Sequence, residues 1–272
     1  VNTFDGVCFD GASNVILRGI SVDTLRGNGV RFESNASDCM FMGGDIINVS
    51  GTGAIINGKN NVVRDCDIAY TGGNGASISG GDPVALIHSG NRLENNIIHD
   101  VGASSNSKVG VTFDGCGQTV GNNHIYNIPM NGMSGSGMEH TIDYNIFERT
   151  CLENSDAASV YYNNQGPGHG TTMNYNIVRD PVGLNHHMAA GLYVDNGTSG
   201  VMLKGNILIN CNWGALNFNC GRENTAINNV FINCTIPVSM GGTKLPGDGA
   251  NLGGMIDKSI QKFRADKEPY IT

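Results

Sequence analysis

The sequence predicts an all-β fold, a right-handed parallel β-helix: a solenoid of about ten stacked, three-sided coils. Three observations predict it. First, a five-residue pattern recurs (small, apolar, any, apolar, small polar). Its copies GVCFD, GVRFE, GAIIN, GASIS, GVTFD, GMSGS, SVYYN, GLYVD, ALNFN and PVSMG end at Asp10, Glu33, Asn57, Ser79, Asp114, Ser136, Asn163, Asp195, Asn219 and Gly241. Second, a small or polar residue followed by Ile or Val recurs in phase with it, at Ile20, Ile46, Ile68, Ile97, Ile125, Ile146, Ile177, Ile207 and Val230. Third, 40 Gly stand against 7 Pro, and charged residues make up only 15%, where ordinary domains have about a quarter.

Each element follows from these patterns. Alternating apolar residues, two signals per repeat, specify strands rather than helices. A coil of roughly 22 residues cannot bury its own apolar face, so it stacks on its neighbours about 4.8 Å away. Propeller blades are too long for this period, and the fixed leucines of leucine-rich repeats are absent. Asn96, Asn145, Asn176, Asn206 and Asn229 precede the second strand signal. Stacked there, their amides satisfy the backbone of the bend. Cys211 and Cys234 occupy equivalent places in successive repeats and read as stacked buried thiols. No CxxC spacing suggests zinc. Asp5 and Asp10 fit turn capping better than calcium binding.

The steps between pattern endpoints are 23, 24, 22, 35, 22, 27, 32, 24 and 22. The three long steps place insertions at 80–108, 149–157 and 164–189. A solenoid carries insertions on one flank, often the binding flank, so the site is expected around the rungs ending at Asp114, Ser136, Asn163 and Asp195. The solenoid spans 1–241. The more charged segment 242–272 reads as a C-terminal tail or cap with one short helix over DKSIQKFRAD. No N-terminal cover is visible and Val1 falls inside a repeat, which suggests a piece of a longer, multi-domain chain.

A net charge of −8 and the lack of a basic stripe exclude nucleic acid as a natural partner and disfavour polyanionic substrates. No apolar run approaches 18 residues, so no transmembrane helix is expected.

Four features in the looped region carry chemistry: Glu153 to Tyr161 (ENSDAASVY), Gly191 to Gly197 (GLYVDNG), Glu139-His140, and Asp114 at a strand end. Glycosidic cleavage needs two carboxyl groups, one to protonate the leaving oxygen and one to activate water or attack the sugar. His140, His169, His186 and His187 are candidates for substrate contact or proton transfer. His186-His187 fits a solvated loop better. Tyr161, Tyr193 and Trp213 suit sugar stacking, but strand aromatics of a solenoid belong first to the core. The shared register of Tyr161 and Tyr193 predicts an interior stack.

The stretch 75–236 resembles the β-helix proteins of glycoside hydrolase family 141. The residues that carry the resemblance are SGGD (79–82), NRLENNIIHDVG (91–102), EHTIDYNIFE (139–148), ENSDAASVY (153–161), GLYVDNGTSGVMLKGN (191–206) and GRENTAINNVFINC (221–234). It implies a fucosidase- or xylanase-like hydrolase of plant-type polysaccharide, needing no cofactor and no metal, with Asp156 and Asp195 as the acid–base pair and Glu153 in reserve. Substrate contacts are expected from Asp114, Glu139 and His140, and from Asn163, His169, Tyr193 and Asn196. Asn196 stands where the family has a second Asp, and Ala158 where it has Gly. The segment after Tyr161, NNQGPGHGT, departs from the family pattern. An enzyme acting on external polysaccharide is expected outside the cell or in the periplasm.

One geometric condition follows. Asp156 precedes its strand and Asp195 ends the next, so straight strands would hold them roughly 20 Å apart at 3.3 Å per residue. A bend at 155–157 is required. Without it, the partner of Asp195 is Glu139 or Asp114. The alternatives to a hydrolase are a polysaccharide lyase, which needs cations and has only Lys108, Arg149 and Arg179 nearby, and a non-catalytic glycan-binding or structural module.

Overall fold

The computed structural model describes residues 4–164 and 166–241, and they form a parallel β-solenoid. The expected tail or cap, 242–272, lies outside the described residues. Ten strands make the first sheet: Val7–Phe9, Val30–Phe32, Ala54–Ile56, Ala76–Ile78, Val111–Phe113, Met133–Gly135, Ala157–Asn163, Ala189–Asp195, Gly214–Asn219 and Ile236–Gly241. The residue ending each sequence pattern thus stands in one column at the end of this sheet. The second sheet runs from Ile16–Arg18 through six strands to Thr141–Asp143. It resumes, through a bridge at Thr172, in Met202–Lys204 and Thr225–Ile227. The third sheet has nine strands, from Val22–Leu25 to Val230–Ile232.

Alternation sorts the faces. Phe9, Phe32, Ile56, Ile78, Phe113, Tyr162, Val194 and Phe218 point inward from the first sheet into one continuous core. Phe9 and Phe32 stack with centroids 4.3 Å apart. The second sequence signal resolves into two columns. Ile46, Ile68 and Ile125 are buried, whereas Ile97, Ile146 and Val230 lie one position earlier and are exposed. Ile20 is not in a strand; Val22 takes the place opposite Ile46.

The Asn ladder forms as expected and includes Asn123. Asn96, Asn123, Asn145, Asn176 and Asn206 each donate a backbone N–H to the side-chain oxygen of the next Asn, up to Asn229, at 2.9–3.1 Å. Cys211 is buried and Cys234 half-buried, both as free thiols. Asp5 pairs with Arg31 and accepts from Asn28, and Asp10 accepts from Asn35.

A corner precedes the first sheet, built on Gly29, Gly53, Gly75, Gly110, Gly132 and Gly191. A Cβ on any of them would meet the carbonyl oxygen of its successor on the next rung at 2.4–2.6 Å. Ser159 takes this place in one rung, and the paired residues of strands 157–163 and 189–195 are interrupted at Ser159 and Gly191. The chain bends at Ser155–Asp156, within the stretch where the sequence reading required it, and breaks its pairing again at Ser159.

The insertions occupy both edges of the first sheet, not one flank. Segments 80–90 and 166–170 follow its strands, while 102–109, 149–156 and 180–188 precede them. The preceding loops stack on each other: Asn154 Nδ2 donates to Asn106 O at 2.5 Å and to Pro129 O at 3.1 Å, and Leu184 N donates to Asn154 O at 2.9 Å. They wall one side of the sheet's outer face.

Candidate functional site: an aspartate–tyrosine cluster on the first sheet

Inward Val160 and Tyr162 leave Tyr161 facing out, and inward Leu192 and Val194 do the same for Tyr193. The expected interior stack is therefore corrected: both rings pack outside the core, with Trp213, over Ala158 and Ala190. Tyr161 and Tyr193 meet edge to face at 5.1 Å, and Tyr193 and Trp213 at 5.6 Å. Ala158, Ala190 and the Trp213 ring lie before the break in pairing at Ser159, and the Tyr161 and Tyr193 rings after it.

Asp195 ends its strand beside Asn163 and is only 4% exposed. It accepts hydrogen bonds from the Tyr161 hydroxyl, from Asn196 Nδ2 at 3.0 Å and from Asn219 Nδ2 at 2.8 Å. Burial pushes the Tyr161 phenol up, and the bond to Asp195 with its charge, then the proximity of Tyr193 and Asp156, push it further. Tyr193 is raised by burial and by the charges of Asp195 and Asp156. Asp156 is exposed, in a left-handed backbone conformation. Both carboxylates thus act on the same two phenols. The buried Oδ1 of Asn163 has no hydrogen-bond partner among the described residues. Such an orphan acceptor is where a hydroxyl or a water belongs.

Other expected residues lie elsewhere. His140 is fully buried, a rung of an interior ladder. Its Nε2 bonds Ser136 O at 2.9 Å and its Nδ1 accepts from Gln118 N at 3.2 Å. Burial pushes it down to about 4, so the ring is neutral. Glu139 bonds His88 at 2.8 Å, and His169 bonds Glu223 at 3.1 Å, both on the turn after the first sheet. Asp114 faces out and accepts from Ser136 at 2.7 Å. It stands three rungs from Asp195, about 14 Å at 4.8 Å each. Glu153 lines a separate depression of about 450 Å³ with Asp100, Asn106 and Asn127. His186 and His187 are exposed. Asn219 was missed as a site residue, although its place at a pattern endpoint put it one rung from Asp195. Tyr161 was weighed for sugar stacking but assigned to the core, because register alone does not say which face a column takes. No group of three or more metal-ligating side chains occurs among the described residues.

The chain belongs to the right-handed β-helix family: the family model "Right handed beta helix region" matches residues 28–198. No curated protein matches it. A solved structure titled "Glycoside hydrolase" is similar, with a TM-score of 0.54 and 16% identity, covering 84% of this chain and 40% of that one. The A-module of the mannuronan C-5 epimerase AlgE4 from Azotobacter vinelandii is similar too, with a TM-score of 0.52 and 11% identity, covering 87% of this chain and 63% of that module. The chain thus spans less than two thirds of either. At these identities the likeness shows the fold. No helix among the described residues is long and apolar enough to cross a membrane.

Proposed function

We propose that the chain hydrolyses glycosidic bonds in an uncharged plant-type polysaccharide, on the first-sheet face around Asp195. The observation that carries this reading is Asp195, nearly buried at the end of its strand, held by three donors and set beside Asn163, whose Oδ1 has no hydrogen-bond partner among the described residues. Asp195, acceptor in all its bonds, is the base or nucleophile. Asp156 is the proton donor. Tyr193 and Trp213 offer apolar contact to the sugar, and Asn163 and Asn196 bind its hydroxyls.

The lack of cations supports an uncharged substrate. From Ser77 to Ser239 and from Ser79 to Gly241, the two outward columns of the first sheet carry no Lys or Arg. Arg149 and Arg179 lie at the third sheet, on Asn127 and Glu148. The charged groups on these two columns are carboxylates, which speaks against a lyase. An enzyme of this kind works outside the cytoplasm.

The test is reducing-sugar release from neutral polysaccharides and aryl glycosides by the full chain, Asp156→Asn and Asp195→Asn. A loss of at least ~100-fold in each folded variant is expected for general acid–base groups. Undiminished release by Asp195→Asn would sink the reading, and products absorbing as unsaturated uronates would mark a lyase.

A further inference from the structure

The turn between the second and third sheets is a column of nine residues with left-handed backbone: Gly19, Gly43, Asp65, Asn95, Asn122, Tyr144, Tyr175, Gly205 and Asn228. Gly, Asn and Asp are the residues that tolerate this conformation. Seven positions obey that rule, and two adjacent ones break it with tyrosine. The core gains nothing from them, since Tyr144 is 56% and Tyr175 40% exposed. The rings stack with centroids 5.1 Å apart and planes 17° from parallel. Tyr175 lies over Gly205, where a Cβ would meet its ring at 2.6 Å, with Lys204 Nζ 6.0 Å from its centroid. Tyr144 has its ring partner on one side only. On the preceding rung stands Asn122, exposed, its side-chain amide making no hydrogen bond among the described residues.

We propose that Tyr144, backed by Tyr175 and flanked by the Asn122 amide, is a non-catalytic docking platform for an uncharged polysaccharide chain. Strained, exposed aromatics mark an outward function when the fold does not use them. A pyranose ring offers a C–H face for the tyrosine and hydroxyls for the amide. Tyr175 stands on the rung of Tyr161 and Asn163 and Tyr144 one rung earlier, at the corner opposite the first sheet, so one protein can hold a long chain at one place and cut it at another. The ligand class rests on the glycan reading above.

The test is affinity electrophoresis of the full chain in native gels containing arabinoxylan, xyloglucan or galactomannan. The double variant Tyr144→Asn/Tyr175→Asn takes the residue type the column uses elsewhere, so its unfolding midpoint is expected to hold. Its affinity is expected to fall about tenfold or more, while Tyr144→Phe/Tyr175→Phe and Asp195→Asn remain retarded like the parent and turnover of an aryl glycoside by the double variant is unchanged. Retardation kept by the Asn double variant, abolished by Asp195→Asn, or absent from the parent with all three polymers would each overturn the platform. Loss in the double variant alone would uphold it even if Asp195→Asn retained full hydrolysis.

Discussion

His140, expected at the substrate, is a buried rung of the interior instead. Its burial leaves it neutral, with a folded value of about 4 against an ordinary 6.5; the bond to Ser136 and the charge of Asp114 pull upward and His88 downward. The unfolded chain therefore binds a proton that the folded chain refuses. The contribution is present above ~6.5 and is lost as pH falls toward 4, at a slope approaching ~1.4 kcal/mol per pH unit. His140→Gln puts the residue type of Gln118, one rung earlier, in this place. In urea unfolding at pH 7 and pH 4.5, the parent is expected to lose about 2–3 kcal/mol more than the variant. Equal losses would show that this imidazole is not the buried neutral group described.

Among elements, the Asn ladder does most to hold the bend before the third sheet. Asn145 Oδ1 accepts Asn123 N, and its Nδ2 donates to Val120 O at 2.9 Å, both buried. Alanine here orphans both groups, at roughly 1–3 kcal/mol each. Asn145→Ala is expected to lower stability by about 2–6 kcal/mol in chemical denaturation, while Asn127→Ala, half-buried on the outer turn, is expected to stay within about 1 kcal/mol. Similar costs at the two sites would mean that the ladder is decoration rather than support.

Over the whole molecule, a charge of −8 meets a first-sheet face whose outward columns carry Asp114 and Asp195 but no cation from Ser77 onward. Binding of neutral arabinoxylan is expected to be indifferent to salt. Polygalacturonate is expected to bind poorly at ~0.01 M salt and somewhat better at ~0.15 M, as the screening length falls from about 30 Å to about 8 Å. Isothermal titration at both ionic strengths checks this. Polyuronate binding that weakens with salt would reveal a cationic subsite and overturn the neutral-substrate reading.

The sequence by itself determined the fold, because a solenoid writes its core, its ladders and its corners into every repeat. Asn96, Asn145, Asn176, Asn206 and Asn229 could be assigned on spacing alone, since each meets only its neighbours in adjacent coils. The same locality placed Asp195, Asn163 and Asn219 in one column. Only the tertiary structure decided which face a column takes and where the chain turns. Tyr161 faces outward because Ser159 and Val160 both point inward at the corner, a break in alternation that no period announces. Glu139 and His169 were carried to another turn because inserted loops choose partners two rungs away: His88 for Glu139, and Glu223 for His169. Repetition fixes what stacks on what; bends and insertions, which do not repeat, fix what the stack presents to the outside.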